Sequence, residues 1–256
     1  MKTKMIVMDL DRTLLRTDKT ISDYSLKILN RCKRNGIKLV IATARPYRAT
    51  IEYAKQIGCN DIICLNGALI TIDGKVLEKN TISNKITFDL IQKIINIYPD
   101  CKLSVESDDI IFSNFDIENV FGTVTNNIIT DFKEFSLEAD KILLTVENDV
   151  ELQKIINLLP SNLYGKIAAG YLFQILSNQA TKLNGIKTLA EYYNISLDEI
   201  AAFGDDNDDE EMVKYCGYGV AVENAINNVL NSAKYIAENN DNDGVCKFID
   251  LNILCE

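Results

Sequence analysis

The chain has 256 residues, 37 acidic against 27 basic side chains, a net charge of −10 and no histidine. The missing imidazole excludes Ser-His-Asp triads, Cys-His pairs and histidine-ligated zinc. The acidic balance argues against a sequence-independent grip on nucleic acid and against docking on anionic membranes. It leaves acidic phosphorylated metabolites open, because a bound cation reverses the local field.

At about 150 residues per domain the length suggests one large or two modest domains. A hydrophobic content of 47% with 25% charged residues allows a sizeable core. The cysteines Cys32, Cys59, Cys64, Cys101, Cys216, Cys246 and Cys255 are scattered, with no C-x-x-C pair. They read as reduced thiols of a cytoplasmic protein. The apolar run before Asp9 is too short for a signal peptide or a membrane span. No membrane or nucleic-acid partner is expected. The oligomeric state is open, a monomer being the simpler expectation.

In chain order, Met5–Met8 reads as a strand ending at Asp9, followed by a helical pattern over Asp23–Asn35. Ile37–Ala42 is the next strand, ending at Thr43. Pro46 then opens, and Gly58 closes, a second helix. Ile62–Leu65 runs into Asn66-Gly67. The middle of the chain changes character. Leu103–Glu106 and Ile110–Ser113 flank a Ser107-Asp-Asp turn, and Lys141–Val146 precedes a helix at Val150–Leu158. Ile167–Ala168 and Tyr171–Leu176 read as a second hairpin around Ala169-Gly170. Beyond it, Ile200–Phe203 ends at Gly204-Asp205, with shorter strands at Val220–Val222 and Tyr235–Ala237. Glu238–Gly244 reads as a solvated loop. Strand–helix alternation with near-continuous apolar strands predicts a Rossmann-like α/β core with a parallel sheet. The hairpins predict an inserted α+β unit at 82–182, leaving 1–81 and 183–256 as the core.

Ligands of an open parallel sheet bind beyond the carboxyl ends of its strands. Those ends carry Asp9-Leu-Asp11, Thr43-Ala-Arg45, Asn66-Gly67 and Asp205-Asp-Asn-Asp-Asp209. On extended chain Asp9 and Asp11 face one side, with Leu10 turned away. Carboxylates brought that close need a shared cation or proton, and an oxygen-only donor set suits Mg²⁺. Each feature also has a structural explanation. D-x-D is a common turn pattern, Thr43 is a possible helix N-cap, and Asp208 with Glu211 resembles a capping box. Arg45 is too near the rim to be dismissed, although most surface arginines are simply solvated. Lys182 stands at a helix start, against the helix dipole, which suggests an anionic partner.

In this order and spacing, Met8-Asp-Leu-Asp-Arg-Thr-Leu-Leu15, Ile41-Ala-Thr-Ala-Arg-Pro46, Leu65-Asn-Gly-Ala-Leu69, Thr181-Lys182 and Ala202-Phe-Gly-Asp-Asp-Asn-Asp-Asp209 resemble the haloacid dehalogenase superfamily. The match is to its Cof-type subfamily IIB phosphatases. The resemblance implies that Asp9 is the nucleophile, forming an aspartyl-phosphate, and that Asp11 is the general acid and base. It implies Mg²⁺ held by Asp9, Asp205 and the Asp11 backbone carbonyl. Thr43, the Ala44 N–H and Lys182 would grip the phosphoryl oxygens, with Leu10 and Asp208 in the same pocket. Arg45, Asn66, Gly67 and Asp209 would support. The implied substrate is a small phosphorylated metabolite, sugar phosphates first, with pyridoxal phosphate or flavin mononucleotide behind them. The inserted unit would be a lid that reads the leaving group. Phe112, Phe115, Phe121, Tyr164 and Tyr171 are candidate pocket residues, although core packing explains such aromatics equally.

The sequence departs from the family in three places. Arg12 stands where Gly is usual, Ala44 where Gly is common, and Asp208 where Asn is usual. An ionised Asp208 cannot donate to a phosphate. Phosphoryl transfer between hydroxyls, a receiver-like phospho-Asp module and an inactive family member are the rival readings.

Overall fold

The computed structural model describes residues 3–118, 126–146, 148–168 and 172–255. The chain forms two compact units, Met1–Glu78 with Thr181–Glu256, and Lys79–Ala180. The joints therefore lie at 78/79 and 180/181 rather than at 81/82 and 182/183. Lys182 belongs to the first unit, because it is the opening residue of a helix that packs into that unit's core.

The first unit is built on the strands β1 (Met5–Met8), β2 (Lys38–Ala42), β3 (Asp61–Cys64), β4 (Leu69–Ile72), β5 (Lys75–Lys79), β12 (Ile200–Gly204), β13 (Tyr218–Val222) and β14 (Tyr235–Ala237). Among the described residues they run in the order β14-β13-β12-β1-β2-β3-β4-β5. Pairing is parallel from β14 to β3, and β4 returns antiparallel on β3. The β4–β5 link at Asp73-Gly74 has φ 50° and 72° at its two residues, as a type I′ hairpin turn requires.

Both faces of the sheet are covered, which is why its central strands are apolar throughout. Met5, Val7, Val40, Ala42, Ile63 and Ala202 point to one side. They pack on Ile186 and Leu189 of helix α5 (Lys182–Tyr193), on Met212 and Val213 of α6 (Glu210–Tyr215) and on Val229 of α7 (Asn227–Ser232). The opposite side carries Ile6 and Met8, both fully buried. Helices α1 (Asp23–Arg34), α2 (Tyr47–Ile57) and α8 (Gly244–Asn252) contact one another or the strands there. Pro46 is the N-cap of α2 rather than its first residue, and Gly58 closes it at φ 66°. The cysteines are all free thiols, most of them buried.

The second unit has a sheet in the order β10-β11-β9-β6-β7-β8. Its strands are β6 (Leu103–Ser107), β7 (Ile110–Ser113), β8 (Asn127–Ile129), β9 (Lys141–Thr145), β10 (Leu163–Ala168) and β11 (Leu172–Ser177). The β6–β7 hairpin turns on Asp108 and Asp109, both at positive φ. Strand β10 starts earlier than its apolar residues suggest, because Gly165 leaves the space that the Phe173 ring fills. The expected turn at Ala169-Gly170, with Tyr171 and Phe121, lies outside the described residues. Helices α3 (Asn84–Ile97) and α4 (Asp149–Ile156) complete this unit. Leu90, Ile91, Ile94 and Ile155 join Leu103, Val105, Ile142, Leu144 and Phe173 in its core. Phe112 packs edge-on against Phe135, and Tyr164 donates to the Ala180 carbonyl, so both have packing roles.

Glu238–Gly244 is not a solvated loop. It contains a short 3₁₀ turn with Asn240 buried, and Asp241 and Asp243 accept bonds from Thr17 and Arg16. Acidic residues in such a stretch look solvated until cationic and N–H partners from a distant segment meet them.

Candidate active site

Parallel register puts Met8 beside Ile41 and Phe203, and Ala42 beside Ile63. The next residues, Asp9, Thr43, Leu65-Asn66 and Asp205, therefore share one rim of the sheet. After Asp9 the chain does not continue as strand. Leu14 N–H donates to the Asp9 carbonyl (3.2 Å) and Leu15 N–H to the Leu10 carbonyl (2.8 Å), closing a wide turn. Leu10 is fully buried and anchors that turn.

Lys182 is the hub. Its Nζ lies 2.7 Å from Asp9 Oδ1 and 2.6 Å from Asp209 Oδ1, and all three residues are buried. Burial pulls the ammonium toward neutrality, but Asp209 and Asp9 outweigh that and hold it charged. Thr181 caps α5 by accepting the Asn184 N–H at 3.1 Å, which fixes where Lys182 emerges. Gly67 lets this cap approach, since a Cβ there would stand 2.3 Å from the Thr181 carbonyl oxygen.

Asp209 also ties its own loop, accepting the N–H groups of Asp205 (2.9 Å) and Asp206 (3.1 Å) through Oδ2. The capping box is thus Asp206 with Asp209. The expected pair, Asp208 with Glu211, does not form it, because Asp208 turns to Asn66, whose Nδ2 donates to it at 2.5 Å. Asn66 is buried, at φ 62°, and its Oδ1 has no hydrogen-bond partner among the described residues. Thr43 is buried as well, and its hydroxyl accepts the Arg45 N–H (3.2 Å) rather than capping α2. Ala44 lies between them, partly buried.

Oxygen atoms of Asp9, Asp205 and Asp209 lie within 4.8 Å of one another, all three residues buried. Three carboxylates without sulfur or imidazole suit a hard divalent cation such as Mg²⁺. Asp209 joins the expected carboxylates Asp9 and Asp205, and the expected ligand from Asp11 was its backbone carbonyl, not its side chain. Burial, together with repulsion from Asp209, pushes the Asp205 carboxyl up to about 6, although Thr13 Oγ1 donates to it at 2.9 Å. Asp9 is also pushed up, first by burial and then by Asp209 and Asp205, with Lys182 opposing. Without a cation the cluster is overloaded with negative charge.

Asp11 faces elsewhere. Arg45 Nε and Nη2 grip its two oxygens at 2.6 Å each, and Lys19 Nζ reaches Oδ1 at 2.6 Å. Burial would raise this carboxyl, but the bonds from Arg45 and Lys19 lower it to about 2. Lys19 and Thr13 are neighbours of these carboxylates to which motif reading assigned no role. Its place inside the first motif was the available signal for Thr13, whereas nothing in the sequence marks Lys19.

The model of the haloacid dehalogenase-like hydrolase family matches residues 6–249, and the chain belongs to that family. The resemblance read from the motifs is borne out, and the protein is a hydrolase. It is 29% identical to a 5-amino-6-(5-phospho-D-ribitylamino)uracil phosphatase of Bacillus subtilis (strain 168), covering 97% of this chain and 98% of that one. A phosphatase of the haloalkanoate (HAD) enzyme superfamily from Bacteroides thetaiotaomicron is 26% identical. It superposes with a TM-score of 0.86, covering 97% of this chain and 94% of that one. A HAD subclass IIB sugar phosphatase shares the fold at a TM-score of 0.84 and 21% identity, covering 97% and 98%.

Proposed function

We propose that the chain is a Mg²⁺-dependent phosphatase of small phosphorylated metabolites, working through an aspartyl-phosphate on Asp9. The observation that carries this reading is the buried Asp9 carboxylate at the end of β1, held by Lys182 and grouped with Asp205 and Asp209. An Asp9 oxygen attacks phosphorus and the ester oxygen leaves with a proton from Asp11. Asp11 then takes a proton from water, whose oxygen attacks the acyl-phosphate phosphorus and frees phosphate and Asp9. Asp9, Asp205 and Asp209 would hold Mg²⁺, which supplies charge neutralisation for an anionic nucleophile meeting an anionic phosphate. Thr43, the Ala44 N–H and Lys182 supply donors to the phosphoryl oxygens, with Leu10 closing the floor. Before Asp11 donates a proton it must exchange Arg45 and Lys19 for the leaving group.

Sugar and polyol phosphates are the proposed substrate class. The Bacillus subtilis relative is named for a phosphorylated ribityl chain, an open-chain polyol phosphate. The inserted unit, from Lys79 to Ala180, takes the role of a lid that selects the leaving group. A cytoplasmic setting accords with free, mostly buried thiols, and no helix among the described residues is long and apolar enough to cross a membrane.

The test is phosphate release from a panel of sugar, polyol, pyridoxal and flavin phosphates, with Mg²⁺ and with chelator. Asp9→Asn should lower release by about a thousandfold or more. Turnover that survives this substitution, or ignores chelation, would sink the mechanism.

A further inference from the structure

The turn that follows Asp9 contains a conformation its residue does not favour. Arg12 sits at φ 61°, ψ 9°, in the left-handed region where a Cβ crowds the backbone. Glycine would adopt it freely, and arginine needs holding. The hold comes from Asn224, just past β13. Asn224 Nδ2 donates to the Arg12 carbonyl at 2.7 Å, and Arg12 Nη2 donates back to the Asn224 carbonyl at 3.2 Å. Asn224 is fixed in turn, because its Oδ1 accepts the N–H of Asn240 at 3.0 Å. Asn240, which is buried, donates through Nδ2 to the Leu15 carbonyl at 2.9 Å. The two asparagines thus form one chain of hydrogen bonds that grips the turn at Arg12 and again at Leu15.

The grip continues past the turn. Asp241 accepts the Thr17 N–H (2.7 Å) and hydroxyl (2.8 Å), and Asp243 accepts Arg16 Nη2 (2.8 Å) and Nε (3.2 Å). Between its held points the turn delivers Thr13 Oγ1 to Asp205 Oδ1 at 2.9 Å and leaves Arg12 Nε 3.8 Å from Asp205 Oδ2. Its shape therefore governs both Asp11 and Asp205.

We propose that Asn224 and Asn240 are positioning residues for the catalytic turn, needed because Arg12 occupies a glycine-type conformation. The proposal rests on the reading of Asp9 and Asp11 as the reacting pair. It explains why the acidic, asparagine-rich stretch at 239–243 is folded against the start of the chain.

A rescue experiment tests it. With p-nitrophenyl phosphate as probe, Asn224→Ala should lower kcat about tenfold, ~1.4 kcal/mol at the transition state, with KM within about twofold. Asn240→Ala should act in the same direction. In an Arg12→Gly background, Asn224→Ala should cost less than about twofold, because glycine holds the conformation unaided. Equal losses in both backgrounds would overturn the proposal, as would a loss confined to melting temperature. Amide exchange at Leu14 and Leu15 supplies a readout independent of turnover. Asn224→Ala should speed it about tenfold and the Arg12→Gly background should abolish that effect. Unchanged exchange defeats the brace. A native chain that fails to turn over the probe while showing the predicted exchange pattern counts against the phosphatase reading alone.

Discussion

Asp208, assigned to the proposed phosphate pocket, is not idle. The Asn66 amide donates to it at 2.5 Å, which turns the carboxylate toward a donor and uses one of the two Asn66 N–H groups. The Asn66 Oδ1 is left buried without a partner among the described residues, one that an amide at 208 could supply. Asp208→Asn should therefore satisfy that oxygen and remove a like charge. We expect inorganic phosphate to inhibit about three- to tenfold more strongly, ~1 kcal/mol at an intermediate effective dielectric. A product-inhibition titration measures this, and unchanged or weaker inhibition would remove Asp208 from the phosphate site. At this scale the sequence was readable for where Asp9, Thr43 and Asp205 sit, just past apolar strands, and for Lys182 at a helix start. It was silent on Asp208 turning to Asn66 and on Asn224, whose partners lie more than a hundred residues away, and on Lys19, which reaches Asp11 only because the chain folds back after the turn.

Helix α5 shows how an element sets a residue. Thr181 is its N-cap and accepts the Asn184 N–H, and Lys182 is its first residue. Thr181→Ala should lower stability by about 1 kcal/mol. It should also loosen Lys182, so that kcat falls several-fold more than stability alone explains. Thr181→Ser, which keeps the oxygen, should restore both, and denaturant melts with steady-state kinetics at one temperature separate the two effects. The strands of the parallel sheet were legible because two-sided burial forces an unbroken apolar run. The β4–β5 hairpin was less visible, since β5 is mostly exposed and reads as polar surface, although Asp73-Gly74 carries a hairpin signal. The segment at 239–243 was misread because composition reports solvent affinity and not which partners arrive.

Across the whole molecule, buried carboxylates set the response to pH. Asp205 and Asp140 are both pushed up to about 6, chiefly by burial, from an ordinary 3.8. The folded chain then binds protons that the unfolded chain releases, so these groups add stability as pH falls from about 6 toward 4. Asp11, lowered to about 2, acts oppositely, and its contribution is lost below about 4. Metal-free protein should melt highest near pH ~5, lower at pH 7 and lower again below pH ~4. Saturating Mg²⁺ should raise the melting temperature most at pH 7 and flatten the rise toward acid, because protons and cation compete for Asp205. Scanning calorimetry with chelator and with Mg²⁺ checks both signs. A metal-free profile that climbs steadily from pH 5 to 7 would contradict them.

The ties between Thr17 and Asp241 join residues 224 apart in the chain. At roughly 5–20 residues per second of synthesis, the second partner is made about 10–45 s after the first. Strand β1 likewise waits for β12, its parallel neighbour. The segment bearing Asp9 is thus made before the partners that seat it, so a nascent chain carries this carboxylate for a time without its folded surroundings. Such long-range closure makes folding slow for the size of the unit. It also leaves the turn after Asp9 without these ties until translation has passed the 239–243 stretch.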